Sequence, residues 1–166
     1  MSLLLDTNVV SELRRRTPSP NVLQWFETVA AQDLHISVLT IGEIRQGIER
    51  LKRRDPIAAV SIEAWLHGLV TTYADRIVDV DAAITERWGR LNVPSPVPTI
   101  AGLLAATALI NDWTLVTRNI SDVERTGVRT LNPFDEQHGA DELRTFLASA
   151  SRNRADPSTT SQVGRG

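Results

Sequence analysis

Two rhythms of apolar and polar positions alternate along this chain. Short continuous apolar runs at residues 3–6, 34–38, 77–80, 114–117 and 128–131 read as strands buried on both faces. Longer stretches between them repeat at helical spacing. Residues 9–15 read as a short helix, followed by Thr-Pro-Ser-Pro punctuation. Residues 21–31 place Val22, Trp25, Phe26 and Val29 on one face. Residues 40–53 carry the stripe Ile41, Ile44, Ile48 and Leu51. Asp55-Pro56 opens a helix that runs to about Ala74, and Asp81 caps another. The proline-rich segment 92–98 is a loop. Residues 100–111 are apolar nearly all round, which marks a buried helix. Strands alternating with helices imply a parallel sheet with right-handed crossovers.

Asn132-Pro133-Phe134 ends the compact part, and the domain is expected to span residues 1–136. A terminal helix is expected near 141–150. Residues 151–166 have almost nothing to bury and read as a disordered tail.

At 166 residues the chain suggests one domain with a sizeable core. It has no cysteine, which excludes a disulfide scaffold and a thiolate metal site and suits a reducing cytoplasm. No signal-peptide pattern and no apolar stretch of membrane-spanning length is visible, so the expectation is a cytoplasmic protein without a membrane partner. The net charge of −2 gives no global argument for nucleic acid. Two basic clusters stand out, Arg14-Arg15-Arg16 and Arg50-Leu51-Lys52-Arg53-Arg54. Their plainest reading is solvated helix ends, where cations complement the dipole. There is no internal repeat, no GxGxxG and no P-loop.

The candidate chemistry lies in carboxylates that follow strands. Asp6 ends the first apolar run, Glu43 sits in the first turn of the helix after the second, and Asp122 follows the fourth. Crevices in open α/β sheets lie outside the carboxyl ends of strands, so all three are expected on one edge. Plainer roles compete: Asp6 as a helix cap, Glu43 as a partner of the helix dipole. Gly47, one turn after Glu43, keeps that wall low. Crowded anions persist only if a proton or a cation neutralises them. With oxygen ligands and no cysteine, the cation would be Mg²⁺ or Mn²⁺, and phosphodiester hydrolysis is its natural chemistry. His35, His67 and His138 are scattered without metal-ligand spacing and read as structural.

Four segments in series resemble one family. They are Leu3-Leu4-Leu5-Asp6-Thr7-Asn8, the run from Ser37 to Gly47 around Glu43, Gly102-Leu103-Leu104-Ala105-Ala106-Thr107-Ala108, and Thr117-Arg118-Asn119-Ile120-Ser121-Asp122. In order and spacing they are similar to PIN-domain toxins of the VapC type, FitB-like branch, over about residues 2–135. The resemblance implies a three-layer α/β/α domain with a central parallel sheet of about five strands. It implies a Mg²⁺-dependent endoribonuclease, usually dimeric, inhibited by a small antitoxin that itself binds operator DNA. Asp6 and Glu43 match the first two acids of the family. Asn119 falls where the family has Asp or Asn, Asp122 matches a nearby acid, and Thr7, Asn8 and Thr117 match supporting polar residues.

One position departs. The family's third acid immediately precedes the Gly/Leu-Leu-Ala-Ala-Thr-Ala run, and Ala101 stands there. A methyl group cannot bind a metal, so the chain as written is expected to bind metal weakly and cleave poorly. The alanine is either an introduced inactivating change or a natural degeneration. Arg14, Arg15, Arg16 and Arg118 have two open uses, contacting RNA phosphates or meeting acidic groups of an antitoxin. Trp25, Trp65, Trp88 and Trp113 read as core or interface residues rather than base-stacking platforms.

Two other functions compete. A degenerate domain could act as a binding or sequestering module, which Ala101 favours. An aspartate-nucleophile phosphatase suits Asp6, but the second acid it needs two residues later is Asn8, and Lys52 is the single lysine.

Overall fold

The computed structural model of the chain describes residues 1–135; the expected helix at 141–150, the tail at 151–166 and the boundary at 136 lie outside them. Strand β1 (Leu3–Leu5) is buried on both faces, with Leu4 and Leu5 fully covered. It runs parallel to β2 (Leu34–Ser37) on one side. The next strand out is β3 (Ile77–Val78), and on the other side of β1 lie β4 (Thr114–Val116) and then β5 (Thr130–Leu131). The order is β3-β2-β1-β4-β5, with every pairing parallel. The chain therefore fills one side of β1, then returns to fill the other. This makes the β1/β4 crevice the switch point of the sheet, where such folds bind ligands.

Alternation along β1 divides the core. Leu3 and Leu5 face a layer that includes α1 (Thr7–Glu12), α2 (Pro20–Thr28), α3 (Val38–Lys52) and α4 (Pro56–Thr72), through Val9, Val10, Trp25, Ile44, Ile48 and Leu66. Leu4 and Leu115 face the opposite layer, which holds α5 (Ala82–Leu91), α6 (Thr99–Asn111) and the short α7 (Ile120–Val123). The three-layer α/β/α architecture and the five-stranded parallel sheet match the expectation. Among the described residues no helix is long and apolar enough to cross a membrane.

Several boundaries shift, and local hydrogen bonding explains the first two. The first strand stops at Leu5 because Asp6 turns to cap α1, so this helix starts at Thr7 and ends at Glu12 rather than spanning 9–15. Ser37 accepts from the Leu39 amide at 3.2 Å, which draws Val38 out of the strand and into α3. Pro20 starts α2 at a position where its missing N–H costs nothing, and a 3₁₀ turn at Ala31–Asp33 replaces its expected end. Val80, Thr117 and Val128 lie outside their strands.

The tryptophans pack as expected of core residues. Trp25 is buried edge-on to Phe26, and Trp65 packs against the same cluster. Trp113 stacks on His35 at 4.2 Å, which gives this histidine a structural role. Gly102 lets α6 approach Trp88, since a Cβ there would meet its Cδ1 at 3.1 Å.

Candidate active site

Asp6 holds its position by three short hydrogen bonds. Its Oδ1 accepts from the Thr7 amide at 2.6 Å, and its Oδ2 accepts from Asn8 Nδ2 at 2.6 Å and Thr117 Oγ1 at 2.6 Å. The capping role and the site role thus coexist in one side chain. Thr117 sits at the end of β4, so its bond to Asp6 spans the switch-point crevice. The Thr117 hydroxyl, 2% exposed, also accepts from the Asn119 amide at 3.0 Å. Asn8 completes the crossing, because its Oδ1 accepts from the Arg118 amide at 3.2 Å.

Glu43 joins this network through Thr7, whose hydroxyl donates to Glu43 Oε2. The second carboxylate is therefore carried by the first turns of α3 and positioned by the residue after Asp6. Gly47, a turn further on, is exposed, and a Cβ there would meet nothing within 4 Å. The wall beside Glu43 is low, as the sequence suggested.

The remaining acid stands apart. Asp122 follows β4 on α7, where it is exposed; its amide donates to the Asn119 carbonyl at 3.2 Å, and its carboxylate shares no hydrogen bond with Asp6 or Glu43 among the described residues. Among those residues no group of three or more His, Cys, Asp or Glu side chains is gathered to hold a metal ion. The expected three-carboxylate cluster thus reduces to a linked pair. Asp122 lies instead on the short helix that begins at Ile120, where it is exposed. Ala101 lies in the first turn of α6, half-buried against the Leu4–Leu104 cluster, where its methyl adds apolar contact and no ligand.

The arginines divide by partner. Arg14 lies over the Trp65 ring at 5.7 Å, and Arg15 pairs with Glu12 at 3.1 Å. Arg16 is exposed beyond the end of α1. Arg118 is exposed, with its guanidinium over the Phe134 ring at 4.9 Å. In the second basic cluster, Lys52 pairs with Glu49 at 3.0 Å and Glu63 at 3.5 Å, while Arg50, Arg53 and Arg54 are exposed at the end of α3.

Sequence reasoning missed Glu12. It is 6% exposed, and both oxygens are used: one accepts from the Ser19 amide at 2.8 Å, the other from Arg15 at 3.1 Å. Burial pushes its carboxyl up, but the Ser19 amide and the charges of Arg15 and Arg118 outweigh this, so its pKa lies below the ordinary glutamate value. The signal was Glu12 falling three residues after Val9, on the buried face of a helix.

The donor set suits a hard cation, if sparsely. Two carboxylates linked through Thr7, whose amide donates to Asp6 and whose hydroxyl donates to Glu43, offer oxygen ligands alone, and Mg²⁺ is commonly held by one or two carboxylates with water and substrate phosphates.

Comparison with known proteins shows the chain's family. The sequence matches the PIN domain over residues 3–127. It is 33% identical over 141 residues to the plasmid stability protein StbB of Pseudomonas syringae pv. tomato, covering 80% of this chain and 99% of that protein. It is 26% identical over 142 residues to toxin FitB of Neisseria gonorrhoeae, covering 81% and 99%. It is 28% identical over 142 residues to VapC ribonuclease Y4jK of Sinorhizobium fredii, covering 80% and 98%. A solved structure of FitAB bound to an IR36 DNA fragment matches with a TM-score of 0.74 at 25% identity, covering 82% of this chain and 98% of that one. A family match across most of the chain, carried on a parallel sheet with Asp6 at its switch point, makes this chain a member of the PIN-domain family.

Proposed function

We propose that this chain is the toxin of a type II toxin–antitoxin pair, an endoribonuclease by descent whose centre is the Asp6–Glu43 pair. The carrying observation is the hydrogen-bonded bridge from Asp6 through Thr7 to Glu43 at the β1/β4 crevice. The relatives named as FitB toxin and VapC ribonuclease support the activity, and the FitAB–DNA complex supports an antitoxin partner that contacts operator DNA. A homodimer within a toxin–antitoxin hetero-oligomer, in the cytoplasm, is the assembly this reading implies.

Asp6 and Glu43 would hold Mg²⁺ or Mn²⁺. When bound, such an ion stabilises charge on a phosphoryl oxygen and lowers the pKa of water. The chain's own residues do the positioning. Asn8 and Thr117 fix Asp6, and Thr7 turns Glu43 toward it. Asn119 supplies a polar group on the β4 side of the crevice, while Asp122 stays outside the linked pair. Arg118 is placed to meet a phosphate, and Arg16 is the freest arginine of its cluster for RNA or antitoxin. Ala101 leaves the site one carboxylate short, so the chain as written binds metal weakly and cleaves slowly.

The second reading, a binding or sequestering module, is favoured by that missing carboxylate. The phosphatase reading gains nothing here: Asn8 donates to Asp6 where a second acid is needed, and Lys52 is engaged by Glu49 and Glu63. The test is co-purification with the product of the adjacent small gene, then cleavage of total RNA with and without Mg²⁺, for this chain and Ala101→Asp. Mg²⁺-dependent cleavage restored in Ala101→Asp supports the nuclease. Equal activity in both refutes the role given to position 101, and no cleavage in either, with a partner retained, supports the binding module.

A further inference from the structure

We infer that Glu12 is a positioning residue that holds Arg118 and Arg15 together as a paired phosphate clamp beside Asp6. This rests on the RNA-cleaving reading and adds to it residues that reading does not use, Glu12 and Phe134.

The geometry is a closed circuit of contacts. Asn8 on α1 accepts from the Arg118 amide at 3.2 Å, which fixes the arginine's backbone beside Asp6. The Arg118 guanidinium then lies over the Phe134 ring at 4.9 Å. The Phe134 carbonyl accepts from Asn21 Nδ2 at 2.9 Å, so the ring is tied to the first turn of α2. Two residues before Asn21, the Ser19 amide donates to Glu12 at 2.8 Å, and Glu12 returns the circuit to α1. Arg15 closes on the other Glu12 oxygen at 3.1 Å. Arg118 is among the charges that act on the Glu12 carboxylate.

The energetics favour a positioning role. A carboxylate whose side chain is 7% exposed is costly unless its oxygens are satisfied, and here amide and guanidinium satisfy them. Arg15 keeps 62% of its side chain exposed, and Arg118 is exposed too. Both cations therefore stay open to a ligand while their shared counter-charge is buried. Held by stacking and ion pairing, each guanidinium loses less freedom on meeting a phosphate. The ligand class is the backbone phosphate of single-stranded RNA.

The sign of one substitution separates positioning from bystander electrostatics. Glu12→Gln keeps an acceptor for the Ser19 amide and removes one negative charge. If Glu12 merely repels RNA, its loss tightens binding. If Glu12 positions the arginines, its loss weakens binding. The measurement is fluorescence anisotropy of a labelled single-stranded RNA oligonucleotide titrated with the full chain over a range of salt. Glu12→Gln is expected to weaken binding about fivefold and to flatten the plot of log affinity against log salt by about 0.7 for each phosphate no longer neutralised. Arg118→Ala is expected to do the same, and because Arg15 is still held by Glu12 in that variant, Glu12→Gln is expected to cost less on top of Arg118→Ala than in the unchanged chain. Phe134→Leu removes the ring beneath Arg118 without touching the buried carboxylate, and should weaken binding in the same direction. Thermal melts of each variant show that the fold is kept, and Phe134→Leu decides should Glu12→Gln not fold. Unchanged or tighter binding by Glu12→Gln, or additive losses in the double variant, overturns the proposal while Arg118→Ala still weakens binding. If Arg118→Ala binds RNA as well as the unchanged chain, the phosphate reading itself fails and takes the proposal with it.

Discussion

Thr117→Val tests the crevice at its narrowest point. Valine is close to isosteric with threonine, so the change removes a hydroxyl and leaves the buried shape almost intact. Three bonds disappear: the donation to Asp6 Oδ2 at 2.6 Å, the acceptance from the Asn119 amide at 3.0 Å and a long acceptance from Asn8 Nδ2 at 3.4 Å. The first involves a carboxylate, and such bonds contribute about 1.5–3 kcal/mol. The second is a neutral bond worth about 0.5–1.5 kcal/mol and the third is too long to add much, so the sum is about 2–4.5 kcal/mol. Asp6 retains its bonds to the Thr7 amide and Asn8, which keeps the loss toward the lower end. At ~2–4 °C per kcal/mol for a chain of this size, the melting temperature should fall by about 4–12 °C. Thr117→Ser keeps the hydroxyl and should recover at least half of that loss. Urea denaturation and thermal melting of the three proteins are the assay. A Thr117→Val variant as stable as the unchanged chain, or a serine variant no better than valine, would refute the crossing bond as a support of the site.

Three further outcomes follow from particular contacts. Gly102→Ala places a methyl about 3.1 Å from Trp88 Cδ1, so overpacking of about 1–3 kcal/mol outweighs the helix-propensity gain of ~1 kcal/mol, and denaturation should show a net loss. Gly47→Ala meets open space and should be neutral or slightly stabilising by the same assay, which would show that the low wall there is not a packing requirement. Glu12 has a folded-state pKa below its unfolded value of 4.5, so the stability it contributes is full above pH 4.5 and is lost as pH falls through the lower folded value. The stability gap between the unchanged chain and Glu12→Gln should therefore shrink on acidification from pH 7 toward pH 3, and a gap that widens in acid contradicts the assignment.

Much of the architecture was legible because burial on both faces leaves a plain mark. Leu3-Leu4-Leu5 ending in Asp6 identified the central strand and its functional end together. Caps were harder to place. Asp6 and Ser37 each satisfy an amide of the following helix, which moved two boundaries that periodicity alone assigned to strands or to later turns. The pair Asp6 and Glu43 was read from position, but the Thr7 bridge between them, amide to Asp6 and hydroxyl to Glu43, has no signature in spacing. Asp122 was expected to converge because it follows a strand. It lies exposed on a helix that starts at Ile120, a local choice with no apolar pattern to announce it. Glu12, next to the Arg14 to Arg16 cluster, was not singled out from the sequence. Its burial comes from the turn before α2 folding back to bring the Ser19 amide onto it, a contact between segments that a one-dimensional pattern does not carry.

The Ala101 position is where physics and family pattern meet most sharply. An acid in the first turn of α6 would complement the helix dipole, so placing Asp there should cost the fold little. On the proposed reading, the same change adds a hard oxygen ligand to the two carboxylates of the Asp6–Glu43 pair.

Mn²⁺ binding, followed by electron paramagnetic resonance of the free ion, therefore tests the central claim most directly. The account predicts weak binding by the chain as written, an affinity gain of about 10- to 100-fold in Ala101→Asp, equivalent to ~1.4–2.8 kcal/mol, and loss of that gain when Asp6→Asn is added. Equal affinity in the unchanged and Ala101→Asp chains, or a gain that survives Asp6→Asn, would contradict a metal centre built on Asp6 and Glu43.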